Sequence, residues 1–310
     1  MIAFGPVPSR RLGHSLGINN IPPKICTYSC VYCQLGRTIR MENERREYYK
    51  REKILRDAEK KVENARKRGE KIDYLTFVPD GEPTIDINIG KEIGSLRKLG
   101  IKIAVITNAS LIWKEEIQED LCMADWVSLK VDAVSNDIWR RIDRPDKTLH
   151  LEKILDGLLS FAEKFKGELM TETMLIQEVN DGDEEIEKIA RFLGKLKPHK
   201  SYISIPTRPP AENWAVPASE DDINKAFQVF NEKNIEVEYL IGYEGNAFAF
   251  TGNAEKDLLS ITSVHPMRKE AVKELLKKAD ADWVIVEKLM KEGKMKGVKY
   301  RGKRYYMRKF

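Results

Sequence analysis

Three of the four cysteines fall in one short stretch, Cys26-Thr-Tyr-Ser-Cys30-Val-Tyr-Cys33. Thiols this crowded converge on one inorganic centre, because disulfides among them would close very short, strained loops. Structural zinc closes a tetrahedron with four protein ligands, whereas an iron-sulfur cluster takes one thiolate per iron. The local count is three. The remaining thiol, Cys122, lies far downstream at the end of a helix-like stretch from Lys114, and no second Cys-x2-Cys or His-x3-His pair completes the set. Such a trio suits a four-iron four-sulfur (4Fe-4S) cluster with one iron open to another ligand. A zinc loop completed by Cys122, His14, His150, His199 or His265 is the alternative, and its spacing departs from zinc patterns. Cys122 itself reads as a packed residue where a helix turns into a strand, since free cysteine is commonly buried.

These groups need a frame. Up to about Gly245 the chain alternates strand-like and helix-like pieces, the pattern of βα units around a parallel sheet or barrel. Expected strands are Tyr74 to Val78, Lys102 to Thr107, Trp126 to Val131, Glu168 to Ile176, Tyr202 to Ile205 and Ile235 to Ile241. Expected helices are Glu42 to Arg68, Ile89 to Leu99, Leu149 to Lys166, Asp183 to Lys197 and Asp221 to Lys233, the last capped by Ser219. The fold class is therefore α/β, a partial (β/α)6 barrel. Reacting groups in such barrels sit at the carboxyl ends of strands. Polar residues stand there: Asp80-Gly81-Glu82-Pro83, Thr107-Asn108, Lys130 with Asp132, and the stretch Ile205-Pro206-Thr207-Arg208.

The cysteine loop resembles the signature of the radical S-adenosylmethionine (SAM) superfamily, Cys-x3-Cys-x2-Cys with an aromatic residue, here Tyr32, before the last cysteine. The resemblance implies a 4Fe-4S cluster on Cys26, Cys30 and Cys33. Its open iron holds SAM, and reductive cleavage yields a 5′-deoxyadenosyl radical that abstracts hydrogen from a substrate. Gly81-Glu82-Pro83 is similar to the family's Gly-Gly-Glu motif, which implies that Glu82 meets the SAM ammonium and that Gly81 lets backbone approach the ligand. Asp80 replaces the first glycine of that motif. Asn108 and Lys130 match positions for the SAM ribose and carboxylate, with a Lys130–Asp132 ion pair as the alternative for Lys130. Ile205 matches the strand that borders adenine. Arg10, Arg11 and Arg208 flank these elements and read either as solvated surface arginines or as groups that face an anionic substrate such as phosphate.

The formal charge of +5 conceals an asymmetry, for Lys288 to Phe310 carries ten Lys or Arg residues and one acid, Glu292. Ahead of and within that tail, Ala254 to Thr262, Pro266 to Lys278 and Asp282 to Glu292 read as helices, and Lys294 to Arg308 reads as a hairpin. The order resembles a winged helix, with Val284, Val286, Leu289 and Met290 as the core face of the last helix. The expected domains are a barrel at 1–245, a connecting segment at 246–264 and a winged helix at 265–310. Clustered Lys and Arg point to a polyanion, and Tyr300, Tyr305 and Tyr306 are candidates for stacking on bases. A peptide-docking module is the alternative use of the fold.

Over its length the chain resembles iron-sulfur oxidoreductases near the wyosine-forming tRNA enzymes, through Phe4-Gly-Pro-Val-Pro-Ser-Arg-Arg-Leu-Gly13 and Val264-His-Pro-Met-Arg268. The cysteines left over are too few for the second cluster of wyosine synthesis or methylthio transfer, and the residues before Cys26 are too few for a cobalamin domain. The expectation is radical SAM chemistry on an RNA nucleoside, with tRNA foremost, supplied with electrons by a flavodoxin or ferredoxin. Radical modification of a protein or peptide is the second reading, and an iron-sulfur electron carrier or sensor without SAM turnover is the third. No apolar run approaches the ~20 residues that span a bilayer. Arg10-Arg11 is followed by Leu12-Gly13-His14-Ser15 rather than an apolar export signal, and free thiols suit a reducing cytoplasm.

Overall fold

A computed structural model describes residues 2–241, 248, 253–264 and 266–309. The chain opens with β1 (Ala3–Ser9) and β2 (Gly13–Ile18), then the short strands β3 (Ile25–Cys26) and β4 (Arg40–Met41). There follow α1 (Arg51–Lys67), β5 (Tyr74–Phe77), α2 (Ile89–Leu96), β6 (Lys102–Thr107), α3 (Glu115–Cys122) and β7 (Trp126–Lys130). Next come α4 (Asn136–Ile142), α5 (Leu151–Lys164), β8 (Glu168–Met174), α6 (Asp183–Leu196), β9 (Lys200–Ser204), α7 (Glu220–Glu232) and β10 (Val237–Leu240).

Among the described residues the main sheet has eight strands in the order β1-β2-β5-β6-β7-β8-β9-β10. All its pairings are parallel except β1 with β2. The sheet curls as an α/β half-barrel and is larger than the six strands expected, because β2 adds a parallel strand and β1 an antiparallel edge. Pro6 and Pro8 in β1 and Gly13 and Gly17 in β2 had masked both. Gly17 is required there, since a Cβ would meet the Phe4 ring at 2.0 Å.

Central strands are apolar because both faces are covered: Ile103, Val105, Val127 and Leu129 are fully buried. Helices cover the outside through single stripes, as in α5, where Leu151, Ile154, Leu158 and Phe161 face inward. Helix α1 begins at Arg51, later than expected. The stretch before it is held instead by Arg46 N–H donating to Ile85 O at 3.1 Å and by Ile87 N–H donating to Arg46 O at 3.1 Å. Cys122 is exposed rather than packed. Its neighbours Ile117 and Leu121 take the inner face of α3, which turns the next residue outward. The Ser219 hydroxyl accepts from Asp222 N–H at 3.1 Å and caps α7 as expected.

The remaining described elements are α8 (Ala254–Val264), β11 (Met267–Arg268), α9 (Lys269–Lys278), α10 (Val284–Lys291), β12 (Met295–Tyr300) and β13 (Lys303–Arg308). Their strands form an antiparallel sheet in the order β11-β13-β12. Leu258, Ile261, Leu275, Val286, Leu289 and Tyr306 share one core with Phe4 and Val7 of β1, which seats these elements on the amino-terminal hairpin. Val284 is 67% exposed and lies outside that core, contrary to expectation. The expected boundary at Gly245 and Asn246, the Gly242 to Asn246 and Thr251-Gly252 turns and His265 lie outside the described residues. No described helix is long and apolar enough to cross a membrane.

Candidate active site

The cysteine loop leaves the carboxyl end of β2 and is gripped from outside. Ser29 N–H donates to Asp143 O at 3.0 Å, Val31 N–H to Ile142 O at 2.9 Å, and Glu212 N–H to Val31 O at 2.9 Å. Buried Tyr28 meets Trp139 edge-on at 5.9 Å and accepts its indole N–H at 3.2 Å. Cys26, Cys30 and Cys33 are free thiols that line one cavity of about 390 Å³.

Burial pushes all three thiols up, Cys26 to about 12 with the Glu82 charge adding to the rise, and the Asp143 charge adds to it at Cys30. The polypeptide alone therefore keeps them protonated, and a cationic centre is what would turn them into thiolates. Among the described residues no group of three or more His, Cys, Asp and Glu side chains is arranged to hold a single metal ion. Three soft ligands spread around a cavity wall, with room beyond them, fit a multi-iron cluster better than one zinc.

The β5 and β6 ends meet this loop. Gly81 is packed so closely that a Cβ would lie 1.8 Å from Ile25 O, beside the first cysteine. Glu82 is 1% exposed. Its Oε1 accepts from Thr84 N–H at 3.0 Å and from the Thr84 and Thr107 hydroxyls at 2.6 Å each, while Oε2 accepts Asn108 N–H at 2.7 Å. Burial raises this carboxyl, and the four donors oppose the rise. Asn108 Nδ2 donates to Thr27 Oγ1 at 2.8 Å and approaches Cys26 Sγ at 3.5 Å. Glu82 and Asn108 thus brace the cysteine loop in a way the motif alone did not announce.

Farther along the sheet a charged network crosses β7 and β8. Lys130 Nζ lies 3.3 Å from Asp132 Oδ1 and 3.3 Å from Glu172 Oε1. It also sits 4.9 Å from the centre of the Tyr32 ring. The Tyr32 hydroxyl donates to Asp132 and, at 3.3 Å, to Asp143, which also accepts from the Cys30 thiol at 3.2 Å. Arg11 pairs with Glu172, and Ser204 Oγ donates to Glu172 Oε1 at 2.9 Å. Burial alone would raise Glu172, but Lys130 and Arg11 outweigh it and hold the carboxyl down at about 2. Burial likewise opposes the Lys130 charge, and Asp132 and Glu172 keep that ammonium charged.

All nine expected site residues, Cys26, Cys30, Tyr32, Cys33, Gly81, Glu82, Asn108, Lys130 and Ile205, line this cavity. Arg10, Arg11 and Arg208 line it too, with Arg208 Nη1 donating to Gln34 Oε1 at 2.7 Å. The Lys130–Asp132 ion pair, the alternative to a SAM contact for Lys130, forms, and the cavity adds Glu172, which the sequence did not single out. Its signal was present: an acid inside Glu168-Leu-Met-Thr-Glu-Thr-Met174, one strand beyond a lysine. Of the histidines, His14 pairs with Asp73, His199 Nδ1 accepts from Leu169 N–H at 3.1 Å, and His150 precedes α5.

Residues 20–193, more than half of the chain, match the model of the family described as the Radical SAM superfamily. The chain belongs to that superfamily. A UPF0026 protein of Methanocaldococcus jannaschii is 51% identical over 310 residues, which covers 99% of this chain and 96% of that protein. A Shouchella clausii protein named probable dual-specificity RNA methyltransferase RlmN is 27% identical over 175 residues, 54% of this chain and 49% of that protein. The solved structure of TYW1 with a lysine-pyruvate adduct bound superposes with a TM-score of 0.53 at 18% identity, over 70% of this chain and 73% of that one, a likeness of fold. Radical SAM enzymes use a 4Fe-4S cluster and SAM, and the thiol trio and cavity fit both.

Proposed function

We propose that this radical SAM enzyme acts on an RNA nucleoside, with tRNA the foremost class, and that Cys26, Cys30 and Cys33 hold its cluster. With cluster and SAM held there, the site would supply radical abstraction of a hydrogen atom from the substrate. In this reading Lys130 and Arg11 provide positive charge for the SAM carboxylate, and Glu172, kept ionised, accepts from ribose hydroxyls. Gly81 and Ile205 supply close backbone, Tyr32 a ring wall, and Glu82 and Asn108 rigidity, with Glu82 Oε2 facing the SAM ammonium less directly than its motif implies. Electrons come from a reductant such as a flavodoxin or ferredoxin.

One observation carries the choice of RNA. The hairpin β12–β13 stands against the cavity loop, and its tip, Lys299, Arg301, Lys303 and Arg304, is exposed. Helix, strand, two helices and hairpin, with the first strand beside the last, support reading 254–309 as a winged helix that holds a polyanion beside the cavity. Two of the three expected stacking tyrosines are not platforms: Tyr305 and Tyr306 are 2% and 4% exposed, because the two hairpin faces pack on the barrel loop and on the helices, whereas Tyr300 is half-buried. Polyanion grip in this reading rests first on Lys and Arg.

Anaerobic reconstitution is expected to load about four irons per chain and to release 5′-deoxyadenosine from SAM, both lost in Cys30→Ala. Neutralising Lys299, Lys303 and Arg304 to Gln is expected to weaken tRNA binding about tenfold or more at low salt and to flatten its salt dependence. Capture of a polypeptide with no salt dependence, and no tRNA binding, would move the substrate to protein.

A further inference from the structure

Residues 206–211 follow β9 and close one side of the cavity; the Arg208 side chain ties the segment to Gln34, while its backbone makes few bonds to the barrel. Pro206, Pro209 and Pro210 have no backbone N–H to donate. Among the described residues no backbone–backbone hydrogen bond outside the strand ladders involves 206–211. Ile205, Pro206, Thr207 and Arg208 nonetheless line the cavity, so their placement shapes the space.

The carbonyls of this loop are held from the far end of the chain. Tyr300 OH donates to Pro206 O at 2.8 Å and Tyr305 OH to Thr207 O at 3.0 Å. Arg268 Nε donates to the Tyr305 hydroxyl at 3.2 Å, which directs that hydroxyl's own proton toward Thr207. The register of the hairpin explains why two tyrosines reach one loop. Val298 pairs with Tyr305 and Tyr300 with Lys303, so Tyr300 and Tyr305 share a face. Met295 and Tyr306 occupy the opposite face and enter the core of α8, α9 and α10. The hairpin is a plate fixed to the helices on one side and to consecutive loop carbonyls on the other.

We propose that Tyr300 and Tyr305 are positioning residues of the SAM pocket, holding the Pro206–Thr207 carbonyls so that the cavity wall is set before SAM enters. A preset wall spares the ligand the cost of ordering a loop whose Pro206 and Thr207 carbonyls would otherwise lack these two donors. The carboxy-terminal elements are then part of the cofactor site as well as a substrate grip. The inference rests on SAM binding by the cavity and not on RNA, so loss of the RNA reading leaves it standing.

The test is the full-length, anaerobically reconstituted Tyr300→Phe/Tyr305→Phe double variant, which keeps both rings and removes both hydroxyls. The SAM dissociation constant, from equilibrium dialysis, is expected to rise about tenfold for two lost hydrogen bonds. The change that SAM causes in the electron paramagnetic resonance spectrum of the reduced cluster should require correspondingly more SAM, while iron content stays at the wild-type level. Hydrogen exchange at the Thr207, Arg208 and Ala211 amides should quicken, with the amides of α9 and α10 unchanged. Tyr306→Phe, on the opposite face, should bind SAM as the wild type does. Wild-type SAM affinity in a folded double variant would overturn the proposal, and so would an equal loss in Tyr306→Phe. Should α9 and α10 exchange faster in the double variant, Tyr300→Phe alone decides: weaker SAM binding by about threefold supports the proposal and none refutes it.

Discussion

Lys130 and Glu172 are direct cross-strand partners on β7 and β8, and their charged ends meet at 3.3 Å in the floor of the cavity. Neither charge is tolerable alone at that depth. Asp132 has no exposed side-chain surface and also leans on Lys130, so the Lys130 ammonium, helped at Glu172 by Arg11, balances two carboxylates. Lys130→Met is expected to destabilise the apo protein by about 3 kcal/mol in chemical denaturation at pH 7. Adding Glu172→Gln should return part of that loss, a coupling that a double-mutant cycle measures. The sign with pH follows from the depressed Glu172. Its contribution is complete above the ordinary value of 4.5 and is lost as pH falls through about 2, so the gap between wild type and Lys130→Met should narrow across that window. A gap that widens on acidification would contradict the pairing.

Gly81 touches the cysteine loop through backbone. A Cβ there would meet Ile25 O at 1.8 Å and Ile21 Cδ1 at 2.9 Å, and the carbonyl belongs to a strand that cannot retreat without carrying Cys26. Gly81→Ala is therefore expected to fold with a lower melting temperature and to take up less than half the wild-type iron on anaerobic reconstitution. Gly182→Ala is the control, because a Cβ at that position meets nothing within 4 Å. Equal iron in both variants would show that the loop can yield.

Glu82 separates what the sequence disclosed from what it withheld. A motif of three residues identified the position, and parallel strands with apolar runs located the ends on which the other site residues stand. The direction of the carboxylate was not legible, because its four donors come from Thr84, Thr107 and Asn108, and Thr107 and Asn108 join Glu82 only once β5 and β6 pair. Glu172 was hidden for the opposite reason: alternation in β8 presents it as an ordinary polar strand residue until Lys130 is set beside it. The β1–β2 hairpin defied its local propensities, since β1 keeps Pro6 and Pro8 while packing against α1 and α8, and Gly17 of β2 makes room for the Phe4 ring. Glu82→Gln turns an acceptor into a donor facing donors, and a loss of about 2 kcal/mol in apo stability is expected. Since Asn108 also approaches Cys26, iron loading should fall as well. Unchanged stability would mean that the carboxylate is turned toward ligand.

Glu92 tests buried charge away from the cavity. It is fully buried on α2, neither carboxyl oxygen accepts a well-formed hydrogen bond among the described residues, and burial with the Asp86 charge nearby outweighs the opposing pull of Asn20 and pushes it up to about 9. The folded protein therefore binds a proton at Glu92 that the unfolded chain releases near 4.5, so stability is intact below that value and erodes as pH rises toward 9. Glu92→Gln keeps the neutral shape and removes the linkage. At pH 4 the variant should match the wild type, and at pH 7 it should be more stable by about 1–3 kcal/mol. Urea unfolding of the apo proteins at both pH values measures the difference directly. Equal stability at pH 7 would require a partner that keeps Glu92 ionised, and a cation between Glu92, Asp86 and Asn20 would then be sought by elemental analysis, because oxygens of both neighbours are also buried without a hydrogen bond.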